Sequence, residues 1–485
     1  MGPTRTIRSR SPVAGLQRAQ LTFTQVLGQS VSAVAPSAVM VTLPALVLPA
    51  AGHATIAVFV LTALMMTAVG YCITQFSTRM VAVSGLYSYT VKGLGPVPGI
   101  AAGWSLVIGY AAAAMASALG AAGYLATLLG RVGVPAGKPV IAGLTVLVGA
   151  AALILMVRGI RLSARISLAV ELFAIVVAGV VLMIAFGGAV TGSSASPKAV
   201  ADAPHSALGF ALLLAITSYV GFESASTVAR EAQRPFVTVT RAIRWTPLAL
   251  GALYTFAAVL QTTGTIQTRT GSTPIVLSLP DSADTLAGAL SVAMEVGITA
   301  SWIACVIGST TALSRTLFAM GREGLLPDAL GHAHPRYRTP HVALSVAMPV
   351  IVAVPVAYLF AADSSRDVLI GLLAVSAHGY IVAYLLVCLA TPAFLRRIGE
   401  LTTVPLIVGL ATAVTMIAII IWAALSVASP VWIATAVYSA LLALGLAAFL
   451  VRRRRVPDLA ERVGVFDETV AGDVFADYNP WEVRR

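Results

Sequence analysis

Residues 22–50 read TFTQVLGQSVSAVAPSAVMVTLPALVLPA, a run without a charged side chain, interrupted in its middle by Val34-Ala35-Pro36-Ser37. About 20 apolar helical residues cross the roughly 30 Å of hydrocarbon in a bilayer, so the run is long enough to span one. Pro36 removes a backbone donor and frees a carbonyl. In lipid such a break is tolerated only where the opened backbone meets protein, water or ligand. A second interruption, Ser218-Tyr219-Val220-Gly221, lies inside the apolar run 206–229. Broken helices in corresponding positions of two halves point to a transporter built from inverted repeats, with its site at the breaks. For Pro36 taken alone, a plain proline kink is the competing reading.

Outward from these breaks the composition agrees. Of 485 residues, 58% are apolar and 10% charged, with a mean hydropathy of +0.91, which excludes a water-soluble globular protein and a disordered chain. Cys72, Cys305 and Cys388 each sit in an apolar run and read as buried free thiols rather than a disulfide framework. Apolar runs fall at 22–50, 54–76, 97–129, 138–157, 165–189, 206–229, 243–263, 285–320, 341–361, 367–391, 402–426 and 430–451. They predict an all-α polytopic membrane protein with twelve transmembrane helices. Threading the runs with the amino terminus inside puts 24 Lys and Arg near the cytoplasmic face against 5 outside, so both termini are expected in the cytoplasm and the chain in the plasma (inner) membrane.

The net charge of +12 follows from this topology rather than from a basic folded surface; the bilayer, not nucleic acid, is the expected partner. Residues 1–20, with Arg5, Arg8, Arg10 and Arg18, lack a cleavage site and read as a retained cytoplasmic tail. Arg452 to Arg455 form a stop-transfer cluster, and 452–485 reads as a mobile cytoplasmic tail.

Three acids lie well inside apolar runs: Glu171 in span five, Glu223 in span six and Glu295 in span eight. An intramembrane carboxylate is costly unless paired, so each is a candidate for proton coupling or cation binding; a structural glutamate bonded to backbone or hydroxyl is the alternative. His378, in span ten, is a proton relay or a packing histidine. Ser309, Thr310 and Thr311 are placed to coordinate a small cation with carbonyls freed near Pro36, or to bond back to their own helix. His332, His334 and His341 have no metal-ligand spacing, and neither a metal nor a cofactor is expected. No nucleophile and base share a helix face, so an enzyme is not expected, with a membrane-embedded acyltransferase or hydrolase as the remote alternative. No filter motif repeats as a channel would require.

The segments Gly221-Phe222-Glu223-Ser224-Ala225-Ser226 and Arg230-Glu231-Ala232-Gln233-Arg234-Pro235, with Arg241-Ala242-Ile243, resemble the sixth-span signature of amino acid/polyamine/organocation permeases. Ser84-Gly85-Leu86-Tyr87-Ser88-Tyr89 with Gly93-Leu94-Gly95-Pro96 and Gly103-Trp104 resembles that family's third-span entry. Ser314-Arg315, Gly321-Arg322-Glu323-Gly324-Leu325-Leu326-Pro327 and Arg338-Thr339-Pro340 resemble its eighth span and following loop. The resemblance runs from about 20 to 450.

It implies a LeuT-like fold within a transporter domain at 21–451: two inverted five-helix repeats, at about 21–190 and 206–391, and two extra helices at about 402–451. It also implies a substrate site at Ala35, Pro36, Ser37 and Ala38 of span one, Tyr110 and Ala114 of span three, Thr217, Val220 and Gly221 of span six, and Ser309 of span eight. Where the family has a Gly-Ser-Gly loop, this chain has Pro36-Ser37-Ala38, without either glycine. Glu223 falls on a position that is proton-responsive in several relatives, which implies coupling or gating. Glu171 stands where proton-coupled relatives often place a lysine, which leaves the coupling ion open between proton and sodium. The implied function is proton-coupled import of a small neutral amino acid by alternating access. The alternatives are an amino acid/amine or amino acid/amino acid exchanger, including one for polyamine or cationic substrates.

Overall fold

The computed structural model describes residues 21–82, 84–158, 164–190, 207–263, 285–425 and 429–464. Its helices in chain order are α1 (Phe23–Val34), α2 (Pro36–Ala51), α3 (Thr55–Ser77), α4 (Leu86–Leu94), α5 (Pro96–Gly130), α6 (Lys138–Val157), α7 (Ala164–Val190), α8 (Leu208–Ile216), α9 (Pro235–Thr263), α10 (Thr285–Arg322), α11 (His341–Ala361), α12 (Ser365–Arg397), α13 (Thr403–Leu425), α14 (Ser429–Arg455) and the short α15 (Leu459–Arg462). Among the described residues, eleven helical stretches are long and apolar enough to cross a membrane. The first, Phe23–Ser77, has 55 residues and is interrupted at Ala35 and again at Gly52. At roughly 20 residues per crossing it has the length for two. The expected twelve crossings therefore depend on reading this stretch as two.

α5 lies at the centre, packed between α10 and α12. Its run of small buried residues, including Ala112, Ala113, Ala114, Ala116 and Ala118, lets neighbouring backbones approach closely, which is how helices gain packing energy in a solvent as apolar as themselves. The outer helices present large apolar side chains outward, among them Phe173 and Val176 on α7, Ile407 and Val414 on α13, and Trp432 and Leu444 on α14. Such a surface suits lipid and would not be tolerated in water.

Two links tie the first and last described residues to the helix core. Leu21 pairs with Ala232: its N–H donates to the Glu231 carbonyl at 2.7 Å, and its carbonyl accepts from the Gln233 N–H at 2.9 Å. At the other end, Leu459 at the start of α15 and Val463 just past its end pack in one buried cluster with Tyr87, Val91, Ile100 and Met320. Glu323 accepts from the Gly464 N–H at 2.9 Å and from the Tyr87 hydroxyl. The first part of the tail expected to be mobile is therefore docked, because two apolar side chains and one buried acceptor hold it. The expected tail at 1–20 and the stretch 465–485 lie outside the described residues.

Candidate functional site

The break in span one is a single left-handed residue. Ala35, at φ 57° and ψ 60°, ends α1 and begins α2. Its N–H still donates to the Val31 carbonyl at 3.1 Å, and its carbonyl accepts from the Val39 N–H at 3.0 Å. Pro36 follows at the first helical position, where its missing donor is harmless. The first N–H groups of a helix have no acceptor within that helix. Here the Ser37 N–H donates at 2.7 Å to Oε1 of Glu171, on α7, and Ser301 Oγ of α10 donates to the same oxygen at 3.0 Å. Glu171 is 4% exposed. Ala35, Pro36 and Ala38 are buried as well.

Span six breaks differently. α8 tightens into a 3₁₀ turn at Thr217–Tyr219, Val220 is extended, Gly221 takes φ +104°, and a 3₁₀ segment runs over Phe222–Glu231. Gly221 is required twice over: L side chains rarely adopt its φ, and a Cβ there would lie 2.7 Å from the Ala33 carbonyl oxygen of α1. Gly308 of α10 approaches Ala33 from another direction, with a Cβ that would lie 2.7 Å from its backbone nitrogen. Ala33 is thus contacted by both glycines. Ser30 Oγ donates to the Phe222 carbonyl at 2.5 Å, which joins the two breaks further.

Glu223 turns back toward this break. Its Oε1 accepts from the Tyr110 hydroxyl of α5 at 2.8 Å; its Oε2 accepts from the Tyr384 hydroxyl of α12 at 2.5 Å and from the Gly221 N–H at 3.2 Å. The side chain is fully buried. Three helical elements therefore converge on one carboxylate.

Of the other expected site residues, Ala114 and Val220 are buried, and Thr217 spends its hydroxyl on the Leu214 carbonyl of its own helix at 2.5 Å. Ser309 Oγ lies 3.6 Å from the Cys305 sulfur, which donates to the Ala33 carbonyl at 3.1 Å. Thr311 is directed away, toward Met156 Sδ at 3.8 Å, so Ser309, Thr310 and Thr311 do not act as one cation-binding set. Glu295 is paired outside this centre, with Arg131 at 2.6 and 2.9 Å. His378 has both ring nitrogens bonded, Nδ1 to the Ala374 carbonyl at 2.7 Å and Nε2 to Thr435 Oγ1 at 2.9 Å, and its ring lies 5.6 Å from that of Tyr438. It packs α12 against α14.

Sequence reasoning missed Tyr384 and Ser301, each a direct partner of one of the two glutamates, and did not count the buried Tyr219, Tyr254 and Tyr380 among the site residues. The signal was present: a tyrosine within a span carries a hydroxyl that wants a partner, and Tyr380 and Tyr384 lie on one helical face. A cleft of about 650 Å³, lined by Gln25, Gln29, Ser32, Arg315 and Arg336 among others, reaches Glu171. Arg315 and Glu231, both in its lining, form an ion pair at 2.6 Å.

Two broken spans in direct contact, each with a buried carboxylate on a backbone N–H at its break, inside a bundle with an apolar exterior, define a multi-pass membrane protein of the LeuT-like fold. The manganese transporter of Eremococcus coleocola, solved in complex with an aromatic bis-isothiourea substituted compound, shares that fold. The match has a TM-score of 0.53 and 14% sequence identity, covering 93% of this chain and 99% of that one. The family model described as amino acid permease matches residues 19–449, and the chain belongs to that family. Relatives include the methylthioribose transporter of Bacillus subtilis, 30% identical over 308 residues (60% of this chain, 64% of the relative). The branched-chain amino acid permease BcaP of the same organism is 26% identical over 312 residues (59% and 63%). The low-affinity putrescine importer PlaP of Escherichia coli is 26% identical over 298 residues (60% and 64%). The chain thus spans somewhat under two thirds of the length of each.

Proposed function

We propose that the protein is a secondary active permease of the plasma membrane that imports a small solute bearing an amino group, by alternating access driven by protons. The observation that carries this reading is Glu223, fully buried at the break of span six and held by α5, α12 and the Gly221 amide together. Two of its contacts come from helices other than its own, so its protonation state and the relative placement of those helices are linked. A proton on Glu223 removes one acceptor from the cluster and loosens it; loss of the proton restores the clamp. Amino acids and amines share the ammonium group and both belong to the proposed substrate range, with a small neutral amino acid as the sequence-based expectation. Sodium in place of the proton is the alternative coupling ion.

The proposed topology has both termini cytoplasmic, in keeping with 24 Lys and Arg on that side against 5 opposite. The proposed repeats are 21–190 and 206–391, with α13 and α14 outside them. Their rocking about the two breaks would expose the site to each side in turn.

The test is uptake of labelled amino-bearing solutes into proteoliposomes, with and without an acid-outside gradient, for the wild type and Glu223→Gln. Gradient-stimulated uptake that Glu223→Gln loses is the expected result. Uptake that ignores proton and sodium gradients but requires internal solute would establish an exchanger instead and remove the coupling role from Glu223.

A further inference from the structure

A half-helix N-terminus offers N–H donors and the positive end of a dipole, which suits an anion such as a substrate carboxylate. In this protein the place is taken. The Ser37 N–H at the start of α2 donates to Glu171 Oε1 at 2.7 Å, and Glu171 arrives from α7, 134 residues away, so it is no local cap. At the second break the Gly221 N–H donates to Glu223 Oε2 at 3.2 Å. The protein's own carboxylates thus close a backbone donor at each break. A substrate carboxylate would have to displace one of them and then lie in a desolvated site beside acidic side chains, a like-charge arrangement that strongly disfavours binding.

The cleft that reaches Glu171 has Arg315 and Arg336 in its lining, but among the described residues no basic side chain is paired with either carboxylate. The pairs among those residues are Arg79 with Glu400, Arg131 with Glu295 and Arg315 with Glu231. A second observation points to a ligand. Tyr254 and Tyr380 are wholly buried, and neither hydroxyl has a hydrogen-bond partner. Tyr380 lies with its ring 5.9 Å from that of Tyr384, which holds Glu223, and Tyr254 stacks edge-on at 5.4 Å with Tyr219 of the span-six break. A phenol oxygen accepts an N–H, and a tyrosine face attracts a cation. Tyr380 also stacks edge-on with Tyr110 at 5.2 Å, which contributes a second ring.

From this geometry we infer that the transported solute is an organic amine with an ammonium group and no free carboxylate, bound between Glu171 and Glu223 with Tyr254 and Tyr380 as neutral acceptors. The inference rests on the permease reading and narrows its substrate range. It excludes the carboxylate-bearing half of that range, because Glu171 stands in for the missing carboxylate.

The test uses matched pairs that differ only by the carboxylate: isoamylamine against leucine, and putrescine against ornithine, in wild-type proteoliposomes. Uptake of the labelled amine is expected, with its amino acid competing only at about tenfold or more higher concentration. An amino acid that is taken up, or competes, as well as its amine overturns the inference and leaves the permease reading intact. If neither member of any pair binds or moves under any gradient, the permease reading for amino-bearing solutes fails, and the inference falls with it. Glu171→Gln keeps the shape and the acceptor for Ser37 while removing the charge. Its amine-to-amino-acid competition ratio is expected to fall about tenfold, and an unchanged ratio would count against the proposal. A ratio is not moved by lower protein yield alone.

Discussion

The two breaks solve one problem with different parts. At span one, the turn is made by Ala35 and Pro36, and the opened N–H of Ser37 is closed by a side chain from α7. At span six, the turn is made by Gly221, and the carboxylate that closes it comes two residues later in the same segment. The first break is thus stapled across the bundle, whereas the second is closed locally and then clamped from outside by Tyr110 and Tyr384. The difference teaches where each can move. A local closure can travel with its own segment while its outer clamps open; a long-range staple must come apart when α2 and α7 separate.

The largest effect is expected from Gly221→Ala. It forces a side chain onto φ +104° and drives a Cβ to within 2.7 Å of the Ala33 carbonyl oxygen, which is main chain and cannot step aside. Strain of this kind is worth roughly 3 kcal/mol or more. Loss of uptake and a sharp fall in monodisperse yield in detergent are expected. The matching change at the other break, Ala35→Gly, removes a Cβ from a residue already at φ 57°, so its left-handed turn is relieved rather than strained. Uptake within about twofold of the wild type is expected there. Equal damage at both positions would break the distinction between the two turns.

Tyr384→Phe comes next. It removes the 2.5 Å hydroxyl contact to Glu223 but keeps the ring that lies 5.7 Å from Phe222, so packing survives while one outer clamp is lost. A hydrogen bond to a charged group contributes about 1.5–3 kcal/mol, which corresponds to a fall of roughly tenfold or more in gradient-driven uptake. Ser301→Ala removes the corresponding donor from Glu171, where the Ser37 N–H remains, and a smaller loss is expected. Side-by-side initial rates of the two variants, with and without the gradient, decide which carboxylate is tied more closely to coupling.

The same contrast explains what the amino-acid sequence disclosed. Hydropathy located the spans, since a crossing helix must be apolar along its length, and Pro36 and Gly221 fell at the breaks, whereas Pro44 and Pro49 sit inside continuous α2, so a proline alone does not mark one. Glu223 could be placed at its break because the two are neighbours in the chain. The partnership of Glu171 with Ser37 could not, since a contact across 134 residues depends on how α7 turns its face toward α2. Tyr384 and Ser301 were overlooked for the same reason. Phe23–Ser77 shows the opposite limit: the sequence separates it into two runs at residue 52, whereas the backbone continues through a 3₁₀ turn at Gly52–Ala54 without an extended loop. The docked Leu459–Gly464 segment was hidden by its charged surroundings, in which two apolar residues carry little weight in any composition average.

Glu295 offers the smallest effect and the control for the other two glutamates. It is as deeply buried as they are, yet it lies at neither break and is bonded to Arg131 through both oxygens, with Ser291 Oγ 2.7 Å from the same guanidinium. If burial of a carboxylate within the membrane sufficed for coupling, Glu295→Gln would damage transport as Glu223→Gln does. If position at a break is what matters, Glu295→Gln keeps an acceptor for Arg131, leaves gradient dependence and the amine-to-amino-acid ratio unchanged, and costs only stability. The Arg131 side chain is 39% exposed, so solvent screens the lost charge. Gln retains part of the hydrogen bonding, so the penalty should be about 1 kcal/mol rather than the 3–5 kcal/mol typical of breaking a fully buried pair. A melting temperature lowered by a few degrees in detergent, with normal uptake, is the expected outcome. Loss of gradient-driven uptake in a well-folded Glu295→Gln protein would show that the proton pathway extends beyond the two breaks and would dissolve the comparison on which their roles are assigned.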